Sequence, residues 1–402
     1  MPQIINKTNY STIRNNNGSN QSLQKHAFNE LAVESLSPEL QLDFTYNINT
    51  DLLSTLTTGD GATSHSNQFV SVSTTTTGSA TISSKKYIKY RAGQGLMGKF
   101  AAKFSDNSTF SGITYINYIG FFKGNSGFGF GTYGADDFSI YYSKTDGISS
   151  GNYITRSNWN RDKCDGTGSS GFNLDLTQLN VFMIDWQFLG AGVVRWFVES
   201  TQGEWILCHV LEYPNTDTTP HIEFPHLQLK MYTVSSTSNI SSSIHCSSAA
   251  AFIQGKKEIL GTINSISNSK STVTTEVNVL TIRNKSTYQS QDNANLIFPK
   301  FLSVANDGTK IVKYRLLLND PLTSTSYTDI STNTSVVEYD TSGTLVSTGK
   351  VLAIFTCAKD DSKTIDLSEL GIELNPGDSL TITAQSSAST DIECSITWKE
   401  DL

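Results

Sequence analysis

The run Gly93-Gln94-Gly95-Leu96-Met97-Gly98-Lys99-Phe100 satisfies both G-x-G-x-x-G and the G-x-x-x-x-G-K part of a phosphate-binding loop. A phosphate cradle of that kind needs a Ser or Thr hydroxyl after the lysine to hold magnesium, and Phe100 stands there instead. It also needs a helix whose N-terminus faces the phosphates. Leu96, Gly98, Phe100, Ala102 and Phe104 alternate like one face of a strand. The motif therefore reads as a turn entering a strand, and no nucleotide is expected. Gly166 to Gly171 repeats the glycine spacing after a polar run and reads as a loop.

Acid/base and metal chemistry have equally thin support. The histidines are His26, His65, His209, His221, His226 and His245. His221 and His226 flank Pro225 and cannot share a helix face as in H-E-x-x-H, so no metal site is expected. Asp136, Asp137, Asp185 and Glu199 are the carboxylates from which a glycosidase would draw its pair. Asp185, close to Arg195 in an alternating run, reads as half of a structural ion pair. The chain has no G-x-S-x-G and no recognisable Cys-His nucleophile. Its five cysteines are scattered and never spaced C-x-x-C, which argues against a disulfide framework or structural zinc. The expectation is a non-enzymatic protein with no catalytic residue, no metal and no cofactor.

Binding chemistry is easier to place. Tyr133, Tyr141, Tyr153 and Trp159 lie among Gly, Asn and Asp, and aromatic rings in polar loops stack on sugar rings, so these four are the candidate glycan or partner contacts. The competing reading buries them in the core or in a subunit interface.

The element that would position these groups is Val181 to Glu199. Phe182, Ile184, Trp186 and Phe188 share one face and, after Gly190-Ala191-Gly192, Val194, Trp196 and Val198 resume it. A period of two on both sides of a glycine-flanked break marks a β-hairpin. Pairing Leu189 with Val193 would set Trp186 against Trp196 and Ile184 against Val198, with Asp185 one diagonal step from Arg195.

Across all 402 residues, 37% are hydrophobic and 16% charged, and Ser, Thr, Asn and Gly fill the difference. That composition suits an all-β chain rich in turns. A net charge of -8 without a basic run argues against nucleic-acid binding. No apolar stretch approaches the ~20 residues of a membrane span, so no membrane insertion is expected. The N-terminal residues lack an apolar signal core, which points to assembly in a cytosol.

The fold expected is all-β: two β-sandwich or jelly-roll-like domains preceded by an extended N-terminal arm. The arm and docking segment takes residues 1–84, with Phe28, Leu31, Leu36, Leu40 and Phe44 available to pack on a partner. A central sandwich takes 85–253 and a C-terminal sandwich 258–402. The second ends in two strands, Leu380-Ile382-Ala384 and Ile392-Cys394-Ile396-Trp398, expected to pair as a hairpin.

Several blocks together resemble a domain of uncharacterised structural proteins of tailed bacteriophages and some large DNA viruses. They are Tyr90 to Phe100, Gly127-Phe128-Gly129-Phe130-Gly131, Trp159 to Gly168 and Ile184 to Gly192, within about residues 85 to 235. Ala27 to Glu34 is similar to the A-F-G-R-L-R-V-S segment that often precedes that domain, with Asn29, Glu30 and Ala32 replacing its Gly and both Arg. Leu374 to Asp401 resembles C-terminal β-domains of virion proteins. The resemblance implies a non-enzymatic virion protein of capsid or tail, assembled in the host cytoplasm. Its partners would be other virion proteins and further copies of itself, for example in a trimer. The alternative is a fibre or adhesin module that binds a host-surface glycan or receptor, and the third reading is a glycan hydrolase.

Overall fold

A computed structural model describes residues 12–14, 20–22, 36–105, 115–134, 136–145, 152–236, 241–257, 261–345 and 349–401. Phe28, Leu31 and His26 lie outside these residues. The chain divides into two compact units, Met1–Lys257 and Glu258–Leu402, and each is all-β and built on two main antiparallel sheets.

In chain order the strands of the first unit are β1 Thr12–Arg14, β2 Asn20–Ser22, β3 Leu36–Asp43, β4 Leu53–Gly59, β5 Ala62–Ser66, β6 Phe69–Thr74 and β7 Thr77–Ser84. Then come β8 Leu96–Phe104, β9 Tyr115–Lys123, β10 Ser126–Tyr133, β11 Asp136–Ser143, β12 Asn152–Thr155, β13 Asn180–Trp186, β14 Val194–Glu199, β15 Trp205–Leu211, β16 Gln228–Ser236 and β17 Ser242–Gln254. One sheet runs β12-β11-β10-β9-β16-β7-β4, and the other β15-β14-β13-β8-β17-β6-β5, with β3 also paired to β17. The inward residues of both sheets form one core, in which Trp159, Trp186 and Trp196 are the largest members and Phe100, Phe128, Phe130 and Phe182 pack among them. Each aromatic side chain removes about 150–250 Å² from water, which stabilises by roughly 4–6 kcal/mol at most.

This arrangement corrects the expected boundary at residue 84. β3 pairs with β17, with Leu40 opposite Ala251 and Leu42 opposite Ala249. Leu40, Leu42 and Phe44 sit in the core of their own chain, so Leu40 and Phe44 are not partner-docking residues; Leu36 is half-buried in the same strand. β4 to β7 belong to the same two sheets. β4 and β5 end their sheets and are largely exposed, so their Thr and Ser side chains show no apolar alternation and read as a connector.

The β13–β14 hairpin keeps the predicted faces but not the predicted register. Ile184 faces Trp196, Trp186 faces Val194, and Asp185 faces Arg195 directly. Leu189 and Gly190 adopt left-handed conformations (φ 37° and 80°), and the loop is closed by Gln187 N donating to Val193 O at 3.1 Å. Phe188 thereby leaves the strand and packs edge-on against Tyr90. A shift of two residues preserves the faces because side chains alternate with period two.

The glycine motif is a turn that enters β8, with Leu96 to Phe100 in the strand, as the alternation requires. A Cβ at Gly98 would lie 2.0 Å from the Phe121 ring, so the glycine there permits close packing of the two sheets.

The second unit packs a four-stranded sheet (Ile263–Val273, Thr390–Glu400, Ile297–Asn306, Asp361–Asp366) on a six-stranded one. In the latter, Ser379–Ser386 lies between Val277–Asn284 and Val312–Leu318. The last two strands thus belong to opposite sheets and form no hairpin. Both alternate correctly, because each turns one face to the shared core.

Candidate functional site

The four aromatic candidates divide. Trp159 is 3% exposed, packs on Phe130 and Phe138, and donates its indole N–H to Ile154 O at 3.0 Å. Tyr141 is fully buried on the opposite face of its sheet, stacked between Tyr118 and Tyr153 at 4.8 and 4.7 Å. Neither has a face free for a ligand, which corrects the expectation for both. Tyr133 is 46% exposed and stacks on half-buried Tyr153 at 4.3 Å, covering one face of its own ring.

Of the candidate carboxylates, Asp185 and Glu199 do not assemble an acid/base pair. Asp185 receives the Arg195 guanidinium at 2.7 Å, while Glu199, opposite Trp205, is four positions further along β14. That offset is about 13 Å along a strand, beyond the roughly 5–9.5 Å that separates glycosidase carboxyls. The side chains of Asp136 and Asp137 lie outside the described residues. His65 donates to Phe44 O, His221 to Gln187 O, and His245 lies between Ser71 and Ser243. Burial, followed by the nearby Arg161 charge, holds His209 down at about 4. Among the described residues no group of three or more His, Cys, Asp or Glu is placed to hold a metal ion. No helix of the described residues is long and apolar enough to cross a membrane.

Asp185 is 2% exposed, and burial lifts its carboxyl from the ordinary 3.8 to about 6 against the pull of Arg195. The folded chain therefore holds this proton where the unfolded chain has lost it. The resulting stabilisation is fully present below the lower value and is lost as pH rises through about 6. The melting temperature of the first unit is expected to fall across that window, and Asp185→Asn should remove that share of the slope. Identical pH profiles for the two proteins would show a carboxylate ionised throughout.

A polar cleft lies where the sequence marked only a strand start. Trp205 opens β15, the last strand of its sheet, and is half-buried. Residues 158–165 fold over this edge: Arg161 N and Asp162 N donate to Cys208 O and Leu207 O, both at 3.2 Å, and Asn160 exchanges hydrogen bonds with Val210. Asp162, 3% exposed, holds the loop together by accepting from Cys164 N (2.8 Å), Ser170 N (2.7 Å) and Ser169 Oγ (3.2 Å). Burial raises this carboxyl, but those hydrogen bonds outweigh it and hold it below the usual range. A Cβ at Gly168 would fall 2.1 Å from Asp162 Oδ1, so only glycine lets the loop close this tightly.

Between loop and sheet lies a cleft of about 440 Å³ lined by Arg161, Asp162, Ser169, Ser170, Glu204 and Trp205. The Lys99 ammonium sits 5.3 Å from the centre of the Trp205 ring. Partial burial lowers the Lys99 pKa and the Glu199 charge opposes this. A second groove of about 340 Å³ is lined by Gln41, Asp43, Lys99, Ala101, Val181 and Ala250. A half-buried indole bordered by hydroxyls, a guanidinium and a carboxylate offers one apolar plane and several hydrogen-bonding groups.

No family model matches the chain and no curated protein does. Among solved structures the chain is similar to the carbohydrate recognition domain of Emp46p in its metal-free form, at 8% identity over 56% of this chain and 100% of that one, with a TM-score of 0.35. It is also similar to lectin UEA-II complexed with galactose (10% identity, 54% and 99% covered, TM-score 0.34). A legume lectin-like domain from Entamoeba histolytica is a third (12% identity, 52% and 95% covered, TM-score 0.33). At these identities the likenesses say nothing of a ligand for this chain. The class that the sheets define is an all-β protein of tandem antiparallel sandwiches.

Proposed function

We propose that the first unit is a non-catalytic saccharide-binding module in which Trp205 is the stacking platform. The observation that carries this reading is the half-buried indole at the wall of a rigidly built polar cleft. The apolar face of a pyranose would lie on Trp205, with its hydroxyls directed at Ser169, Ser170, Arg161 and Glu204. Such a role needs no nucleophile or acid/base pair, in keeping with the separation of Asp185 from Glu199. Display on a virion, attachment to other virion proteins and homo-oligomerisation rest on the sequence resemblance alone. They would add avidity, since several weak sites on one particle bind a glycan surface together.

The test is a glycan array probed with the full chain and with Trp205→Ala. Loss of one stacking contact is worth about 0.5–1.5 kcal/mol beyond area, and the lost apolar contact adds to it, so binding should weaken about tenfold or more. Thermal melting should be nearly unchanged because the ring is only half-buried. Absence of any bound glycan, or equal binding by the variant, would refute the assignment.

A further inference from the structure

Cys164 and Cys208 are 44 positions apart in sequence, yet their Sγ atoms lie 3.6 Å apart in the interior of the first unit, with neither residue exposed. Among the described residues this is the one contact between two sulfurs. Cys208 belongs to β15, and Cys164 to the loop that folds over that edge. The backbone fixes both. Cys164 has a left-handed conformation (φ 50°), its carbonyl accepts from Leu174 N at 2.8 Å, and Cys208 O accepts from Arg161 N at 3.2 Å. A disulfide needs its sulfurs about 2.0 Å apart, so closing the gap from 3.6 Å takes a shift of roughly 1.5 Å, within reach of side-chain rotation.

We propose that Cys164 and Cys208 are a latent disulfide, formed by exchange with a low-molecular-weight disulfide such as oxidised glutathione, that locks the Asp162 loop onto β15. One cysteine loses its proton and its thiolate attacks a sulfur of glutathione disulfide, whose S–S bond breaks and releases one glutathione thiolate. The second cysteine, also deprotonated, displaces the other glutathione from the mixed disulfide. The protein loses two electrons and two protons, and two molecules of glutathione thiol are formed. Burial, with the Cys164 thiol adjoining, raises the Cys208 thiol well above its ordinary value, so the closed loop protects the pair. Exchange must await loop opening, and its rate should level off as oxidant concentration rises. Once formed, the bridge holds Arg161, Asp162, Ser169 and Ser170 against the strand that carries Trp205. The inference goes beyond saccharide binding and does not depend on it.

The experiment incubates the full chain with oxidised or reduced glutathione, alkylates remaining thiols after denaturation, and maps the peptides. Oxidation should remove two alkylatable thiols, both mapped to Cys164 and Cys208, in one cross-linked peptide pair that reductant separates. The bridged protein should melt at higher temperature, and proteolysis within residues 156–175 should slow about tenfold or more. Cys164→Ser and Cys208→Ser should each retain all four other thiols under the same treatment. Should either variant fail to fold, the mapping in the unaltered chain decides alone. Persistence of five free thiols in the folded chain under conditions that oxidise the denatured one would overturn the proposal. So would a bridge to any other cysteine, or a stable glutathione adduct on Cys164 or Cys208. Glycan binding by the reduced chain is read separately, so failure of either proposal leaves the other standing.

Discussion

Deleting residues 1–45 should unfold the first unit and leave the second intact. The deletion removes Leu40, Leu42 and Phe44 from the core and strips β3 from β17, uncovering the backbone from Ser248 to Gln254. Truncating one buried Leu costs about 2–5 kcal/mol and one buried Phe about 3–5. Three such losses come to about 7–15 kcal/mol and, with an unpaired strand edge in addition, are enough to consume the ~5–15 kcal/mol by which a domain is stable. Calorimetry of the full chain should show a transition from each unit, and only that of the second should survive the deletion. Phe44→Ala alone should lower the first transition while leaving the second in place. If the deletion protein keeps both transitions at their original midpoints, β3 contributes nothing and residues 36–44 are a docking segment after all.

What the sequence made legible was the set of faces. Phe182, Ile184, Trp186, Val194, Trp196 and Val198 are large, apolar and strictly alternating, and all are buried. Alternation does not fix which residues pair, because a shift by two leaves every face unchanged; the left-handed turn at Leu189 and Gly190 decided the register. β4 and β5 escaped notice because their Thr and Ser side chains are largely exposed, so neither face carries an apolar signal. Tyr141 was misplaced for a different reason. It lies in β11 between the core residues Ile140 and Tyr142, so alternation points it to the other face of the sheet, and there Tyr118, Phe122 and Tyr153 from other strands cover it in a second aromatic cluster. The Trp205 cleft and the Cys164–Cys208 pair were hidden because both need residues 156–175 to fold back on β15. Hydrogen bonds between distant positions and the burial of Trp159, Cys164 and Leu174 specify that contact, and in an irregular loop neither leaves a periodicity.

The C-terminal strand shows how far alternation reaches and supplies the largest single-residue effect expected in the second unit. Ile392, Cys394, Ile396 and Trp398 face the core, and the same parity carries the Glu400 side chain inward, where it is completely buried. Its Oε1 accepts from Asn264 Nδ2 (2.7 Å), Ser335 Oγ (2.6 Å) and Trp398 Nε1 (2.9 Å), and its Oε2 from Val336 N (2.8 Å). Four donors thus take the place of the water that a buried carboxylate loses. Glu400→Ala would strand all four, and Ser335, Val336 and Trp398 are themselves fully buried. Each stranded donor costs about 1–3 kcal/mol, so the loss should total about 5 kcal/mol or more. Glu400→Gln keeps one acceptor oxygen but turns an NH2 toward N–H donors, and should lose about half as much. Glu393, exposed on the same strand, provides the control: Glu393→Ala should stay within about 0.5 kcal/mol. Urea unfolding of the second unit should rank the variants Glu393→Ala, Glu400→Gln, Glu400→Ala in increasing cost. Equal midpoints for the two alanine variants would mean that water reaches the stranded donors, and that Glu400 contributes charge at a surface where the structure places it in the core.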